Sequence, residues 1–214
     1  MKKTILFQGD SITDAARSKD SDIYLGVGYA RMVEAQLGFE QKDKYTFINR
    51  GVNGNRIIDL YARIKRDIIA VKPDYMSILI GVNDVWHEIT SQNGISAEKY
   101  EKLYTMMLDE IISELPNTKI MIMLPYVLEG AATCNNEENP QRFDIFKTEV
   151  QKRAAAAKRV AEEFGLPYID LQQAFDSASD TVPPSYWATD GVHPTAMGHE
   201  LIKREWLKCF DKIK

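Results

Sequence analysis

Three residues whose types cooperate in nucleophilic catalysis lie near the two ends of the chain: Ser11, Asp190 and His193. A serine hydroxyl needs a base, and a neutral imidazole near pH 7 can accept its proton and later deliver it to a leaving group. Asp190 precedes His193 by three residues, so a single turn can bring the carboxylate to Nδ1 and leave Nε2 facing Ser11. Pro194 favours an extended conformation at His193. This set predicts acyl transfer, with Ser11 as nucleophile, His193 as base and Asp190 as the group that orients the base.

Attack on an ester creates a negative oxygen, and each hydrogen-bond donor that stabilises it contributes about 3 to 4 kcal/mol. The candidate donors are the backbone N–H of Ser11, the backbone N–H of Gly54 and the side-chain amide of Asn83. We expect Asp10 to order the first loop through hydrogen bonds to the backbone, and Asp14 to do the same.

Each of these residues also has a purely structural interpretation. Ser11 follows a strand and a glycine, where serine is commonly a turn residue. His193 suits a loop that caps the last helix, and Asn83 suits a helix cap.

The two other histidines are weaker candidates for the base. His199 lies in an amphipathic helical pattern, which is typical of a surface or core-edge residue. His87 follows Asn83, and its neighbouring carboxylate is predicted to point elsewhere. The order along the chain of the motifs that contain Ser11, Gly54, Asn83 and His193 must decide between the catalytic and the structural interpretation.

The elements that position these residues alternate between short apolar runs and longer segments of helical period. This alternation is typical of a parallel sheet with helices on both faces. The predicted strands are 4–8, 45–49, 75–80, 119–124 and 167–170, and the predicted helices are 29–37, 57–71, 97–115, 141–164 and 196–210. Ligands of such sheets bind beyond the carboxyl ends of the strands. The polar clusters at 9–11, 49–55, 81–84 and 190–193 are therefore expected to lie together at that edge of the sheet.

The composition restricts the class of protein. The 214 residues are 44% apolar and 27% charged, which fits one domain over residues 1–214. The formal charge of −4 offers no basic field for a nucleic acid. No segment approaches the roughly 18 consecutive apolar residues of a membrane helix, and no export signal is recognisable. Cys134 and Cys209 do not form a disulfide framework. We expect a soluble, cytoplasmic protein.

Together, the clusters resemble the GDSL-like, or SGNH, hydrolase superfamily, which is named for a Ser, a Gly, an Asn and a His from four sequence blocks. The blocks occur here in the family's order, as Gly9-Asp10-Ser11, Gly54, Gly81-Val82-Asn83-Asp84 and Asp190-x-x-His193. Ile12 stands where the motif has leucine, which is a conservative change. The resemblance implies a flavodoxin-like three-layer α/β/α sandwich with a five-stranded parallel sheet, a two-step acyl-enzyme mechanism, and no metal ion or organic cofactor.

Shorter segments, 81–86, 125–130 and 187–190, are similar to bacterial intracellular acetyl esterases that deacetylate xylan-derived oligosaccharides. This likeness implies a serine esterase for acetyl groups on a small ester substrate such as an acetylated oligosaccharide. The candidate substrate-binding residues are Asp10, Trp86, Tyr126 and Trp187. The two tryptophans would offer ring faces to a sugar and leave little room for a long acyl chain. The same aromatic residues would equally serve as core or interface anchors, and a homo-oligomer is compatible with an aromatic content of 10%.

Two other functions stay open. A lysophospholipase or thioesterase would use the same machinery but would require an apolar groove for a long chain. A non-catalytic nucleotide-binding domain of doubly wound fold has less support, because no Gly-x-Gly-x-x-Gly or phosphate-loop pattern follows the first strand.

Overall fold

The computed structural model describes residues 2–214, which form a five-stranded sheet in the order β2-β1-β3-β4-β5. The strands are β1 (Lys3–Gly9), β2 (Tyr45–Asn49), β3 (Tyr75–Leu79), β4 (Lys119–Met123) and β5 (Tyr168–Ile169). Every neighbouring pair is parallel. This strand order is that of flavodoxin-like folds, whose ligand crevice lies at the switch point between β1 and β3. The predicted fold class is confirmed.

The central strand β1 shows why its sequence is apolar without alternation. Ile5 and Phe7 pack into one apolar cluster, and Leu6 between them packs into a second cluster on the opposite face of the sheet. All three side chains are 0% exposed. A strand that is covered on both faces requires an apolar residue at each position.

Eight α-helices accompany the sheet within residues 2–214. They are α1 (Ser11–Asp14), α2 (Tyr29–Glu40), α3 (Ile57–Ala62), α4 (Val82–Ser91), α5 (Ala97–Glu114), α6 (Arg142–Glu163), α7 (Leu171–Ala178) and α8 (Ala196–Phe210). Helices α2, α7 and α8 pack into the cluster of Phe7, which we name the first cluster. Helices α3 and α5 and the second half of α6 pack into the cluster of Leu6, which we name the second cluster. The result is the predicted three-layer sandwich.

Two predicted elements lose half of their length or more. The helix predicted over 57–71 ends at Ala62, and a π-helical turn follows over Lys65–Ile69. The strand predicted over 167–170 is reduced to Tyr168–Ile169, because the next residue, Asp170, instead caps α7 by accepting the N–H of Gln173 at 3.0 Å.

No helix in the part of the chain that the structure describes is long and apolar enough to cross a membrane. Cys134 and Cys209 are both free thiols.

Candidate active site

Ser11, His193 and Asp190 form one hydrogen-bonded chain beyond the carboxyl edge of the sheet. The Oγ atom of Ser11 lies 2.9 Å from Nε2 of His193. Nδ1 of the same ring lies 2.6 Å from Oδ2 of Asp190. Oδ1 of Asp190 accepts the backbone N–H groups of Val192 at 2.9 Å and His193 at 2.7 Å. The structure therefore brings together the three residues that the sequence selects for acyl transfer.

Charge sets the direction of the hydrogen bonds in this chain. Burial alone would raise the pKa of Asp190, but hydrogen bonds from the His193 ring and from backbone N–H groups lower that pKa to about 2. Asp190 is therefore an anion at neutral pH and accepts the Nδ1 proton, so the Nε2 lone pair of neutral His193 can accept the Ser11 proton. The hydrogen bond to Asp190 also raises the pKa of His193, and burial opposes this rise. Asp190 thus makes His193 a stronger base.

The helix-capping interpretation of His193 does not fit the structure. Helix α8 begins at Ala196 and its N-cap is Thr195, whose hydroxyl accepts the N–H of Gly198 at 3.3 Å. His193 lies in the bend that precedes this cap. Its side chain is therefore free to interact with Ser11.

The other two histidines have different partners. His199 is buried on α8, and its Nδ1 accepts the backbone N–H of Tyr29 at 3.2 Å. Burial, followed by the charge of His193, lowers the pKa of His199 to about 4, so this ring is a neutral structural acceptor. His87 is half-buried, and its Nε2 lies 3.0 Å from the carbonyl oxygen of Gly54.

Ser11 is the first residue of α1, directly beyond β1, and Asp10 caps this short helix. The Oδ1 atom of Asp10 accepts the N–H of Ile12 at 3.0 Å, and the side chain is 1% exposed. Burial raises the pKa of Asp10 to about 7, although the Ile12 hydrogen bond opposes it. The structure confirms that Asp10 orders the first loop. The prediction that Asp10 binds substrate is wrong, because its carboxyl group is buried against the backbone of the turn.

The three candidate oxyanion donors come from three different strand ends. The Ser11 N–H belongs to the first turn of α1, where a helix has no internal acceptor. Gly54 has a φ of +77°, a left-handed conformation that favours glycine. Within residues 2–214, neither of these two N–H groups has a hydrogen-bond acceptor. Nδ2 of Asn83 donates to the carbonyl oxygen of Asn55 at 3.2 Å, which leaves a second amide proton to donate.

Buried polar side chains hold the loop after β2 against α1. Asn49 donates to the carbonyl oxygen of Thr13 at 2.6 Å and accepts the N–H of Gly51 at 2.9 Å. Oδ2 of Asp14 accepts the N–H of Asn53 at 3.2 Å, so this carboxylate holds the loop after β2 and not only the first loop. A Cβ atom at Gly51 would lie 2.3 Å from the backbone nitrogen of Asp14, so only glycine permits this approach.

Tyr126 belongs to the core rather than to the substrate site. Its side chain is 0% exposed, and its hydroxyl donates to the carbonyl oxygen of Val192 at 3.0 Å. The prediction that Tyr126 binds substrate is wrong, because its ring is enclosed and its one polar atom already supports the His193 loop.

Trp86 and Trp187 are half-buried at the edge of the first cluster. The Trp86 ring packs on Phe146 with centroids 5.2 Å apart, and the guanidinium of Arg142 lies 6.0 Å from its centroid. Trp187 and Tyr186 line a mainly apolar groove of about 350 Å³, which the three triad residues do not line. Both tryptophans remain candidates for substrate contact, but the groove that Trp187 lines does not include Ser11, Asp190 or His193.

Sequence reasoning assigned no role to Asn49 or to Arg63, although both hold the loops of this site. The position of Asn49 at the carboxyl end of a strand is a usable signal. Arg63 carries no such signal, because its contacts depend on how the end of β1 and the loop after β2 meet the end of α3. No group of three or more His, Cys, Asp or Glu side chains among the described residues is arranged to hold a metal ion.

Comparison with known proteins finds relatives over nearly the whole chain. The profile of the GDSL-like lipase/acylhydrolase family matches residues 7–201. An acetylxylan esterase from Geobacillus stearothermophilus is 34% identical over an alignment of 211 positions, which covers 95% of this chain and 92% of that protein.

Solved structures share the same fold. A protein described as a GDSL-like lipase from Parabacteroides merdae matches with a TM-score of 0.89 at 34% identity, over 99% of this chain and 97% of that chain. A mutant of an acetyl-xylooligosaccharide esterase from Geobacillus matches with a TM-score of 0.83 at 32% identity, over 98% and 95% of the two chains. Catalytic mutants of the Geobacillus acetylxylan esterase replace a serine, an aspartate or a histidine by alanine, and that aspartate and histidine are three positions apart.

Proposed function

The chain belongs to the GDSL-like lipase/acylhydrolase family and is a carboxylic ester hydrolase, and we propose that it removes acetyl groups from carbohydrate esters with Ser11 as nucleophile. The observation that carries this proposal is the continuous hydrogen-bonded chain from Ser11 Oγ through His193 to Asp190, with contacts of 2.9 Å and 2.6 Å. A nucleophile, a base and an orienting group in this order are the requirement of acyl transfer by serine.

In the first step, Oγ of Ser11 attacks the carbonyl carbon while Nε2 of His193 takes the hydroxyl proton. Asp190 stabilises the imidazolium, and the carbonyl oxygen becomes an anion that accepts hydrogen bonds from Ser11 N–H, Gly54 N–H and Asn83 Nδ2. The intermediate collapses when the C–O bond to the alcohol breaks and the alcohol oxygen takes the proton from Nε2. An acetyl ester of Ser11 remains.

In the second step, His193 takes a proton from water as the water oxygen attacks the acetyl carbon. The second tetrahedral intermediate uses the same donors, and its collapse returns the proton to Ser11 Oγ and releases acetate. All groups that move protons therefore belong to the chain itself.

The acetyl and carbohydrate parts of the proposal draw on the relatives. The curated relative at 34% identity is named an acetylxylan esterase, and a solved relative is an acetyl-xylooligosaccharide esterase. Trp86 and Trp187 are half-buried, and Trp187 lines a mainly apolar groove.

Hydrolysis of acetylated xylo-oligosaccharides and of a chromogenic acetate ester tests the proposal. Ser11→Ala should reduce kcat by about 10³-fold or more, and peptide mapping should place an activated phosphonate on Ser11. Ser177→Ala, an exposed serine on α7, is the matched control and should retain wild-type activity. Unchanged activity in Ser11→Ala would eliminate Ser11 as the nucleophile.

A series of acetyl, butyryl and octanoyl esters separates the acetyl esterase from a lysophospholipase or thioesterase. We expect kcat/KM to fall with chain length. A rise toward octanoyl would contradict an acetyl specificity and favour the long-chain function.

A further inference from the structure

Arg63, at the C-terminal end of α3, uses its guanidinium to join separate segments of the chain. Its Nε donates to Oδ1 of Asn55 at 2.8 Å, and its Nη2 donates to the carbonyl oxygen of Gly9 at 3.1 Å. Nη1 donates both to the carbonyl oxygen of Arg50 and to Oδ2 of Asp67, each at 2.8 Å. The side chains of Arg63 and Asp67 are 10% and 5% exposed, so little water competes for these bonds.

The acceptors lie on the loops that carry the candidate oxyanion donors. Gly9 is two residues before Ser11, and Asn55 directly follows Gly54. The backbone oxygen of Asn55 also accepts the side-chain amide of Asn83. One guanidinium therefore fixes the Ser11 and Gly54 loops directly and the Asn83 amide through Asn55.

We propose that Arg63 is a positioning residue, which sets the spacing of the Ser11, Gly54 and Asn83 donors around the developing oxyanion. This inference rests on the esterase mechanism proposed above. Arg63 itself touches neither substrate nor the triad. Its effect reaches the reaction only through the loops it holds.

Arginine has the shape this position requires. Its planar fork presents five N–H groups in fixed directions, and here three nitrogens reach four acceptors, at the end of β1, on the loop after β2 and on Asp67. A lysine ammonium is a single point and cannot reach them all. Asp67 balances the buried positive charge and is itself held by a second cation, Arg66, at 2.7 Å. Removal of Arg63 therefore does not leave the Asp67 carboxylate unpaired.

The predicted effect concerns the transition state more than substrate binding. A displacement of about 1 Å in a group that acts on the transition state can cost on the order of 100-fold in rate. The donors matter most once the carbonyl oxygen is an anion, so their displacement should lower kcat and leave KM nearly unchanged.

The test compares Arg63→Lys and Arg63→Met with Arg66→Met, a control that removes the other cation on Asp67 but contacts neither loop. Each variant is assayed for kcat and KM on the chromogenic acetate ester, for its pH profile, and for affinity toward phenylboronic acid, which forms a tetrahedral adduct with a reactive serine. Circular dichroism gives the melting temperature and the folded fraction, and rates are expressed per folded molecule.

We expect both Arg63 variants to lose about 10- to 100-fold in kcat, with KM within about twofold of wild type. Boronate affinity should fall with kcat, and the acid limb of the pH profile should stay in place because His193 is untouched. Arg66→Met should match wild type in all of these measurements. If Arg63→Met does not fold, Arg63→Lys alone decides.

A folded Arg63→Lys variant with wild-type kcat and boronate affinity would overturn the positioning role of Arg63. The proposed function would survive, because the wild-type enzyme would still be an active esterase. A decrease of the melting temperature without any loss of kcat per folded molecule would also overturn it, since Arg63 would then be only structural. A wild-type protein without acetyl esterase activity would overturn the proposed function and this inference together.

Discussion

The carboxylate of Asp190 determines the pH range in which His193 can accept a proton. Its Oδ2 atom lies 2.6 Å from Nδ1 of the ring, and this hydrogen bond raises the pKa of His193 above the ordinary value of 6.5, although burial opposes the shift. His193 serves as a base only when it is neutral. Activity must therefore be lost as the pH falls through this raised pKa.

We predict that the acid limb of kcat/KM has its midpoint above pH 6.5, the ordinary histidine value. Asp190→Asn should move that midpoint to lower pH and should reduce kcat by about 10²- to 10⁴-fold, because the anion no longer favours the Nδ1–H tautomer. His193→Ala should cost more than Asp190→Asn. A pH profile of hydrolysis for the three proteins measures both effects, and an unmoved midpoint in Asp190→Asn would exclude Asp190 as the partner that sets the pKa.

The sequence predicts the contacts among Ser11, His193 and Asp190 more reliably than the burial of the residues around them. Asp190 and His193 are three positions apart, so their interaction is local and is visible in the spacing. Burial is not visible in such spacing: Asp10 and Tyr126 are predicted from the sequence to bind substrate, yet both side chains are buried in the folded protein. No pattern around Arg63 indicates its contacts, because they form only when the end of β1 and the loop after β2 meet the end of α3.

At the scale of elements, Asp84 joins the start of α3 to α4. Its side chain is 0% exposed, and both carboxyl oxygens lie 3.2 Å from the backbone nitrogen of Ile57. Burial raises the pKa of Asp84 to about 8, although the Ile57 hydrogen bond and the charge of Arg153 oppose it. The folded protein therefore binds this proton more tightly than the unfolded chain does.

The sign of the pH effect follows from the raised pKa. The stabilisation from the Asp84 proton is complete below the unfolded pKa, near 3.8, and is lost as the pH rises toward the folded value of about 8. Asp84→Asn keeps an oxygen that accepts the Ile57 N–H but removes the titration. We predict that the free energy of unfolding falls between pH 5 and pH 8.5 by about 2 to 4 kcal/mol more in wild type than in Asp84→Asn.

Urea unfolding at the two pH values measures this difference. Asp109→Asn, on the exposed side of α5, is the matched control and should show the same pH dependence as wild type. Equal pH dependence in wild type and Asp84→Asn would mean that Asp84 is not protonated preferentially in the folded state.

Long helices and buried strands were predictable at this scale because their periodicity extends over many residues. Helices α4 and α7 were missed, although Leu171 and Phe175 follow the helical spacing in α7, as Val82 and Val85 do in α4. Both are short and begin within three residues of the end of a strand, where a turn or loop is the usual structure. The end of α3 near Arg63 has no breaker residue, and the chain passes into a π-helical turn over Lys65–Ile69, so the periodicity alone does not locate this helix end.

At the scale of the molecule, the sheet separates two apolar clusters that must fold together if residues 1–214 form one domain. All three tryptophans lie on one side of the sheet: Trp206 is buried in the first cluster, and Trp86 and Trp187 pack against this cluster. Leu108 is 0% exposed in the second cluster, on the opposite face. Tryptophan fluorescence therefore detects the face of the sheet that Leu108 does not contact.

We predict that Leu108→Ala lowers the free energy of unfolding by about 2 to 5 kcal/mol. In a single cooperative domain, the urea midpoint must move equally whether it is followed by tryptophan fluorescence or by far-ultraviolet circular dichroism. Met106→Ala on the same helix, where the side chain is 51% exposed, is the control. With either probe, it should change the free energy of unfolding by no more than about 0.5 kcal/mol. If the fluorescence midpoint of Leu108→Ala stays at the wild-type value while the dichroism midpoint falls, the two faces unfold separately and the one-domain interpretation is wrong.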